Sequence, residues 1–245
     1  MLTAIIGGTG LAALSGWQVR EQRTITTPYG EPSAALQFGR FDRGDGQGVE
    51  AVFLPRHGNG HRLPPHSVNY RANIWALQQV GVQHVIAINA VGGITPRMGP
   101  EVLAVPDQII DYTWGRESSF SEPGKILHID FTYPYRNSVR NRILGAAQGT
   151  GITVVDGGVY GATQGPRLET AAEIERLARD GCDLVGMTGM PEACLAREAG
   201  MDYACLALVV NWAAGRTADE ITLEQMQKVI DTGMVKVRTI LSALL

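Results

Sequence analysis

No stretch of this 245-residue chain comes near the ~18 consecutive apolar residues of a membrane-spanning helix, and Met1 to Ile6 has no basic lead-in before Gly7-Gly8 breaks the run. Neither a membrane span nor a secretory leader is predicted, and a cytoplasmic location is the expectation. Cysteine is scarce: Cys182, Cys194 and Cys205 have no CxxC spacing and sit among apolar neighbours. That excludes a disulfide framework or a cysteine-held zinc site and predicts three reduced core residues. An excess of positive charge is missing too. The formal net charge is -3 and no Lys/Arg run occurs, so the chain lacks the basic face of a nucleic-acid binder. Small molecules and further copies of the chain are the expected partners.

What the chain does have is enough apolar material for one sizeable core: 44% hydrophobic against 18% charged, with 30 glycines and 12 prolines marking many short connections. Residues 1–245 therefore read as a single α/β domain. Leu2 to Ile6 is a short apolar strand that ends in Gly7-Gly8-Thr9-Gly10. Glycine permits close approach and positive φ, so the amides of such a turn, with the Thr9 hydroxyl, can cradle a phosphate; the same pattern also serves as a plain turn. Trp17 to Thr27, Ala34 to Phe41 and Val49 to Leu54 predict a three-stranded meander, split by Pro28-Tyr29-Gly30 and the loop Asp42 to Gly48. The meander leads to Pro55-Arg56-His57-Gly58-Asn59-Gly60-His61. Arg56 offers a planar donor fork and His57 a second donor, the chemistry that grips a phosphate dianion. A metal on His57 and His61 would lack a third ligand.

Val68 to Val80 predicts a helix, His84 to Asn89 a buried strand closed by an Ala90-Val91-Gly92-Gly93 turn, and Val102 to Asp111 another strand. Residues 112–135 are aromatic and loop-like, and a loop of that length in a compact domain usually serves function. A helix from Asn137 to Gln148 and a strand from Ile152 to Tyr160 come next. Thr170 and Glu173 make a capping box, which sets an ionised Glu169 just before the positive end of a helix reaching Arg179. Leu184-Val185-Gly186 is a strand running into Met187-Thr188-Gly189-Met190-Pro191-Glu192, where Pro191 and Glu192 suit a first helical turn and the Thr188 hydroxyl suits an anion. In open α/β sheets, ligands bind beyond the carboxyl ends of the strands. Tyr203 to Val210 is the last strand and delivers Asn211. Thr222 with Gln225 makes a second capping box for a final helix with the stripe Leu223, Met226, Ile230, Val237, Leu241 and Leu244.

These motifs, in this order, resemble the trimeric purine nucleoside and 5'-methylthioadenosine phosphorylases: Ile-Gly-Gly-Thr-Gly at 6–10, Arg-His-Gly at 56–58, Pro-His-Ser-Val-Asn-Tyr-Arg-Ala-Asn at 65–73, Gly-Pro-Arg-Leu-Glu-Thr at 165–170 and Met-Thr-Gly-Met-Pro-Glu-Ala at 187–193. The resemblance covers almost the full chain and implies the nucleoside phosphorylase fold, a central, mixed, partly barrel-like sheet flanked by helices. It implies phosphate held by Thr9, Arg56, His57, Ala90 and Thr188, the ribose lying along Met187, and the base among Leu168, Glu169, Asn211 and Ala213. Leu223 would face the 5' substituent, and Asn211 and His57 would be the catalytic residues. A homotrimer is implied as well, in which His128 and the 112–135 segment reach a neighbour's sugar pocket. Inorganic phosphate is then a co-substrate, and no metal or organic cofactor is called for.

Departures from the family pattern narrow the substrate. Methylthioadenosine phosphorylases have aspartates where this chain has Asn211 and Ala213, and the 6-oxopurine enzymes have Phe where it has Leu168. An amide can donate to a purine O6 and accept from N7–H, whereas a carboxylate suits a 6-amino group. Glu169 suits the N1–H edge of a 6-oxopurine. Leu223 stands where purine nucleoside phosphorylases have histidine, and an aliphatic residue suits a methylthio group; it also reads as the first rung of the helical stripe. Glu169, Asn211 and Leu223 together imply 5'-methylthioinosine, cleaved to hypoxanthine and 5-methylthioribose 1-phosphate. Phosphorolysis of methylthioadenosine or of inosine and guanosine, nucleoside hydrolysis, and a silent nucleoside-binding module are the rival readings.

Overall fold

Two apolar faces are built from the first strand onward: in β1 (Leu2–Gly7), Ala4 and Ile6 pack to one side and Ile5 to the other. The computed structural model describes residues 1–11, 16–41 and 48–245, so of the loop expected over Asp42 to Gly48 all but Gly48 lies outside the described residues. After β1 come β2 (Trp17–Arg23), β3 (Leu36–Phe41) and β4 (Glu50–Pro55), an antiparallel meander as expected, with β4 returning parallel to β1. Helix α1 (Tyr70–Gln79) leads into β5 (Val82–Gly93), then β6 (Leu103–Val105), β7 (Gln108–Asp111), α2 (Asn137–Gly149), β8 (Val155–Asp156) and β9 (Val159–Ala162). The chain ends with α3 (Ala171–Arg179), β10 (Leu184–Gly186), α4 (Glu192–Glu198), β11 (Asp202–Trp212) and α5 (Leu223–Leu244).

The sheet is mixed and forks at β5. Along one edge β5 pairs parallel with β1, and along the other parallel with β11, while its last residues also pair antiparallel with β10. One arm continues through β11, β6 and β8, the other through β10, β9 and β7. The arms rejoin because the chain steps directly from β6 to β7 and from β8 to β9, held by hydrogen bonds from Asp107 N to the Gly158 carbonyl and from Gly157 N to the Val105 carbonyl. This is the expected mixed, partly barrel-like sheet. Helices α1 and α4 cover one face over Ile74, Leu77, Ala193 and Leu195, and α2 and α5 cover the other over Val139, Ile143, Met234 and Val237. No helix among the described residues is long and apolar enough to cross a membrane. Cys182 and Cys205 are buried and Cys194 half-buried, all three unpaired.

Three local expectations are corrected. Ala90-Val91-Gly92-Gly93 is no turn: β5 runs through it, because Gly92 and Gly93 bond to both β10 and β11. Glycine is needed there because a Cβ at Gly93 would lie 1.6 Å from the Met98 carbonyl oxygen. The strand expected from Val102 to Asp111 is two strands, parted at Pro106, which has no N–H for a ladder. Ile152 to Tyr160 likewise contains β8 and the start of β9, parted at Gly157 and Gly158, whose φ values of 91° and 122° break an extended chain.

Candidate active site

The carboxyl ends of β1, β4, β5, β10 and β11 converge on one cavity of about 350 Å³, in the size range of small-molecule sites. It is lined by Gly8 and Thr9 after β1, Arg56 and His57 after β4, Ala90 within β5, and Met187 and Thr188 after β10. Leu168 and Glu169 from the segment before α3, Asn211 and Ala213 from the end of β11, and Leu223 from the start of α5 complete it. Every predicted site residue except His128 is therefore in one place. His128 is exposed on the 112–135 segment and does not line this cavity.

Beneath the cavity, Arg56 is wholly buried. Its Nε and Nη2 donate to Glu192 Oε2 and Oε1 at 2.6 and 2.7 Å, Nη2 also to Asn89 Oδ1 at 3.0 Å, and Nη1 to the Ile88 carbonyl at 3.2 Å. Burial opposes the charge on Arg56, but Glu192 outweighs it and holds the guanidinium pKa above its ordinary value. Of five N–H donors one is left, on Nη1, beside Gly8, where a Cβ would come within 2.9 Å of that nitrogen. A forked grip on phosphate by Arg56 is thus ruled out; its fork is on Glu192. The network runs on, with Tyr203 Oη donating to Glu192 Oε1 at 2.9 Å and Asn89 Nδ2 to Tyr160 Oη at 3.2 Å. Burial pushes the Tyr160 hydroxyl pKa up to about 12.

His57 also differs from expectation. Its Nδ1 lies 2.8 Å from the Leu63 carbonyl, which can only accept, so Nδ1 carries the proton. Burial first, then the Arg56 charge, lower its pKa to about 4. The ring is neutral at pH 7 and Nε2 is an acceptor rather than the second donor expected. His61 packs against it with ring centroids 4.4 Å apart, and among the described residues no cluster of three His, Cys, Asp or Glu side chains could hold a metal.

On the segment that brings Glu169 to the cavity, Thr170 caps α3 and the full capping box with Glu173 is present, placing Glu169 at the helix entrance as expected. Thr163 Oγ1 donates to Glu169 Oε1 at 2.6 Å, leaving Oε2 for a ligand. Asn211 comes after a bulge: Val209 pairs with Val91 and Asn211 with Gly92, so Val210 is an inserted residue that re-aims the Asn211 side chain. Asn211 Nδ2 donates to the Trp212 carbonyl at 2.7 Å, which leaves its amide oxygen and one N–H. Leu223 is 81% exposed and lines the cavity with Ile221 and Met226, so it is a rim residue and not part of the buried stripe of α5. For the second capping box, Thr222 accepts from Gln225 N.

Glu192, Tyr203, Tyr160, Ile221 and Met226 escape sequence reasoning as site residues. By sequence Glu192 is a first-turn acid favoured by the helix dipole, yet α4 has seven residues, Pro191 is its N-cap, and the carboxylate is buried on Arg56. The signal is a charged residue inside an otherwise apolar stretch.

The sequence matches the profile of the Phosphorylase superfamily over residues 3–245. It is 56% identical over 231 residues to a Xanthomonas campestris pv. campestris protein named a probable S-methyl-5'-thioinosine phosphorylase, covering 93% of this chain and 90% of that one. A Pyrococcus furiosus 6-oxopurine nucleoside phosphorylase is 43% identical over 236 residues, covering 92% and 86% of the two chains. The methylthioadenosine phosphorylase of Schistosoma mansoni, in complex with adenine, superposes with a TM-score of 0.92 at 34% identity, covering 100% of this chain and 90% of that one. A profile match over nearly the whole length, with relatives this similar in sequence and in fold, leads to one conclusion: the chain belongs to the Phosphorylase superfamily.

Proposed function

We propose that the protein cleaves S-methyl-5'-thioinosine with inorganic phosphate, giving hypoxanthine and 5-methylthioribose 1-phosphate. The observation that carries this is one cavity lined both by an amide and a carboxylate, Asn211 and Glu169, and by the aliphatic side chains Ile221, Leu223 and Met226. Relatives 53–56% identical carry the name of that activity as probable. Phosphate sits against the Gly8–Thr9 turn, Ala90, the Thr188 hydroxyl and the remaining Nη1–H of Arg56. Neutral His57 accepts a hydrogen bond from a P–OH through Nε2. A phosphate oxygen bonds to C1' as the bond from C1' to N9 breaks, the electron pair leaves on the purine, and the proton of the hydrogen phosphate ends, by way of solvent, on N7. Asn211 stabilises that developing charge at O6 and accepts from N7–H of the product, a preorganised contact worth most in the transition state. Met187 lies along the ribose hydroxyls and Leu168 along the base. One C–N bond is exchanged for one C–O bond without redox change, so the chemistry calls for neither metal nor organic cofactor. The working form is a cytoplasmic homotrimer in which His128 completes a neighbour's sugar site.

An ionised Glu169 repels the N1 lone pair of adenine, and a site built around a hydrogen bond can discriminate by roughly 10⁴. Leu223 offers a 5'-hydroxyl no hydrogen bond and a methylthio group apolar contact, which favours the methylthio substituent. Rates on 5'-methylthioinosine, 5'-methylthioadenosine, inosine and adenosine, each with and without phosphate, test the proposal. The first should lead and require phosphate; equal cleavage of 5'-methylthioadenosine overturns the assignment of the base, and phosphate-independent release overturns phosphorolysis.

A further inference from the structure

Arg116 belongs to the 112–135 segment, does not line the cavity, and plays no part in the chemistry above. Its guanidinium is nevertheless fastened to the backbone of both loops that do. Nη1 donates to the Met187 and Met190 carbonyls at 2.8 and 2.6 Å, while Nη2 donates to the Gln164 carbonyl at 2.8 Å and the Thr163 carbonyl at 3.3 Å. Nε donates to Gln164 Oε1 at 3.1 Å, and the Tyr70 hydroxyl lies 3.3 Å from Nη1. All of these acceptors are neutral. The two terminal nitrogens serve different loops: Nη1 the one carrying Met187 and Thr188, Nη2 the one leading through Gly165 to Leu168 and Glu169. Those loops are also in tight contact, since a Cβ on Gly165 would fall 2.4 Å from Met187 Sδ.

We infer that Arg116 is a positioning residue that fixes the distance between the base-holding loop and the loop holding sugar and phosphate. A planar fork with donors on three separate nitrogens can do this; the single ammonium of a lysine cannot reach both sets of carbonyls in the same way. The inference rests on the functional reading above, in which one loop takes the base and the other the sugar and phosphate. Its consequence is specific. A ligand that touches one loop is indifferent to the spacing, and a nucleoside that spans both is not, because a displacement of about 1 Å far from the reacting atoms can lower a rate by roughly 10²-fold.

The test uses Arg116→Lys in the full-length protein, with hypoxanthine alone, phosphate alone and 5'-methylthioinosine as probes. Hypoxanthine and phosphate dissociation constants should stay within about twofold of the parent, while kcat/KM for the nucleoside falls roughly 10²-fold. Gln164→Ala, which removes one acceptor and leaves the arginine in place, should give a smaller loss of the same pattern. Equal weakening of all three ligands, an unchanged kcat/KM, or failure of Arg116→Lys to fold each overturns the inference, because Arg116 then holds the fold or nothing. Failure of the functional reading is separate: it would appear in the parent protein as no cleavage of 5'-methylthioinosine.

Discussion

Arg56 and Glu192 lie 136 positions apart and meet as a wholly buried, doubly hydrogen-bonded pair. Removing one member of such a pair leaves a buried charge and costs about 3–5 kcal/mol, whereas replacing both by apolar groups is often near neutral. Arg56→Met should therefore lower the denaturation midpoint far more than Arg56→Met with Glu192→Leu, and both should raise the phosphate KM. Additive losses in a double-mutant cycle would mean that the pair is not coupled. His57 gives a second prediction. Its folded pKa of about 4 lies below the ordinary 6.5, so between those values the unfolded chain binds more protons. The stability contributed by neutral His57 is complete above about pH 6.5 and is lost as pH falls toward 4. His57→Gln should flatten the stability profile in that window, and an unchanged profile would remove His57 as its source. Arg56 and His57 were legible because a Gly-rich loop after a strand announces itself locally. Glu192 as the partner was not, since no periodicity links residues so far apart.

Helices were readable because their caps and stripes repeat within a few residues, and α2, α3 and α5 fall within a residue or so of expectation. Short strands were less so. The ends of β5 through β9 are set by which neighbour pairs with which residue, as at Gly92 and Gly93, and by glycine and proline breaks whose effect depends on that pairing. Helix α5 shows the two kinds of apolar residue side by side: Ile240 is buried in the core and Leu223, at the first position, faces the cavity rim. Ile240→Ala should destabilise by about 2–5 kcal/mol with little change in substrate choice. Leu223→His should change stability by no more than about 0.5 kcal/mol and shift preference from 5'-methylthioinosine toward inosine. Loss of stability without a change in preference would return Leu223 to the stripe. The bulge at Val210 shows the same dependence on context: the sequence showed Asn211 at a strand end, and only the register with β5 shows why its amide is turned toward the cavity.

At the scale of the molecule, the segment between β7 and α2 is anchored inward and apolar outward. Inward, Arg116 holds the two cavity loops, and Glu198 on α4 accepts from Ser119 Oγ at 2.8 Å and Phe120 N at 2.6 Å. Outward, Trp114, Ile126 and Tyr133 are 73%, 71% and 67% exposed, a concentration of large apolar side chains that an isolated chain leaves in water. His128 stands between two of them, exposed and outside its own chain's cavity. The homotrimer proposed above would account for both facts at once, covering the apolar side chains and giving His128 a neighbour's sugar to meet. Sedimentation should find a trimer. Ile126→Asp should disperse it, leaving each chain folded because the side chain is already exposed, and should depress nucleoside turnover. His128→Ala should keep the trimer and raise the KM for 5'-methylthioinosine more than that for phosphate. If Ile126→Asp instead yields a monomer as active as the parent, each cavity is complete within its own chain and the segment's exposed face serves some other end.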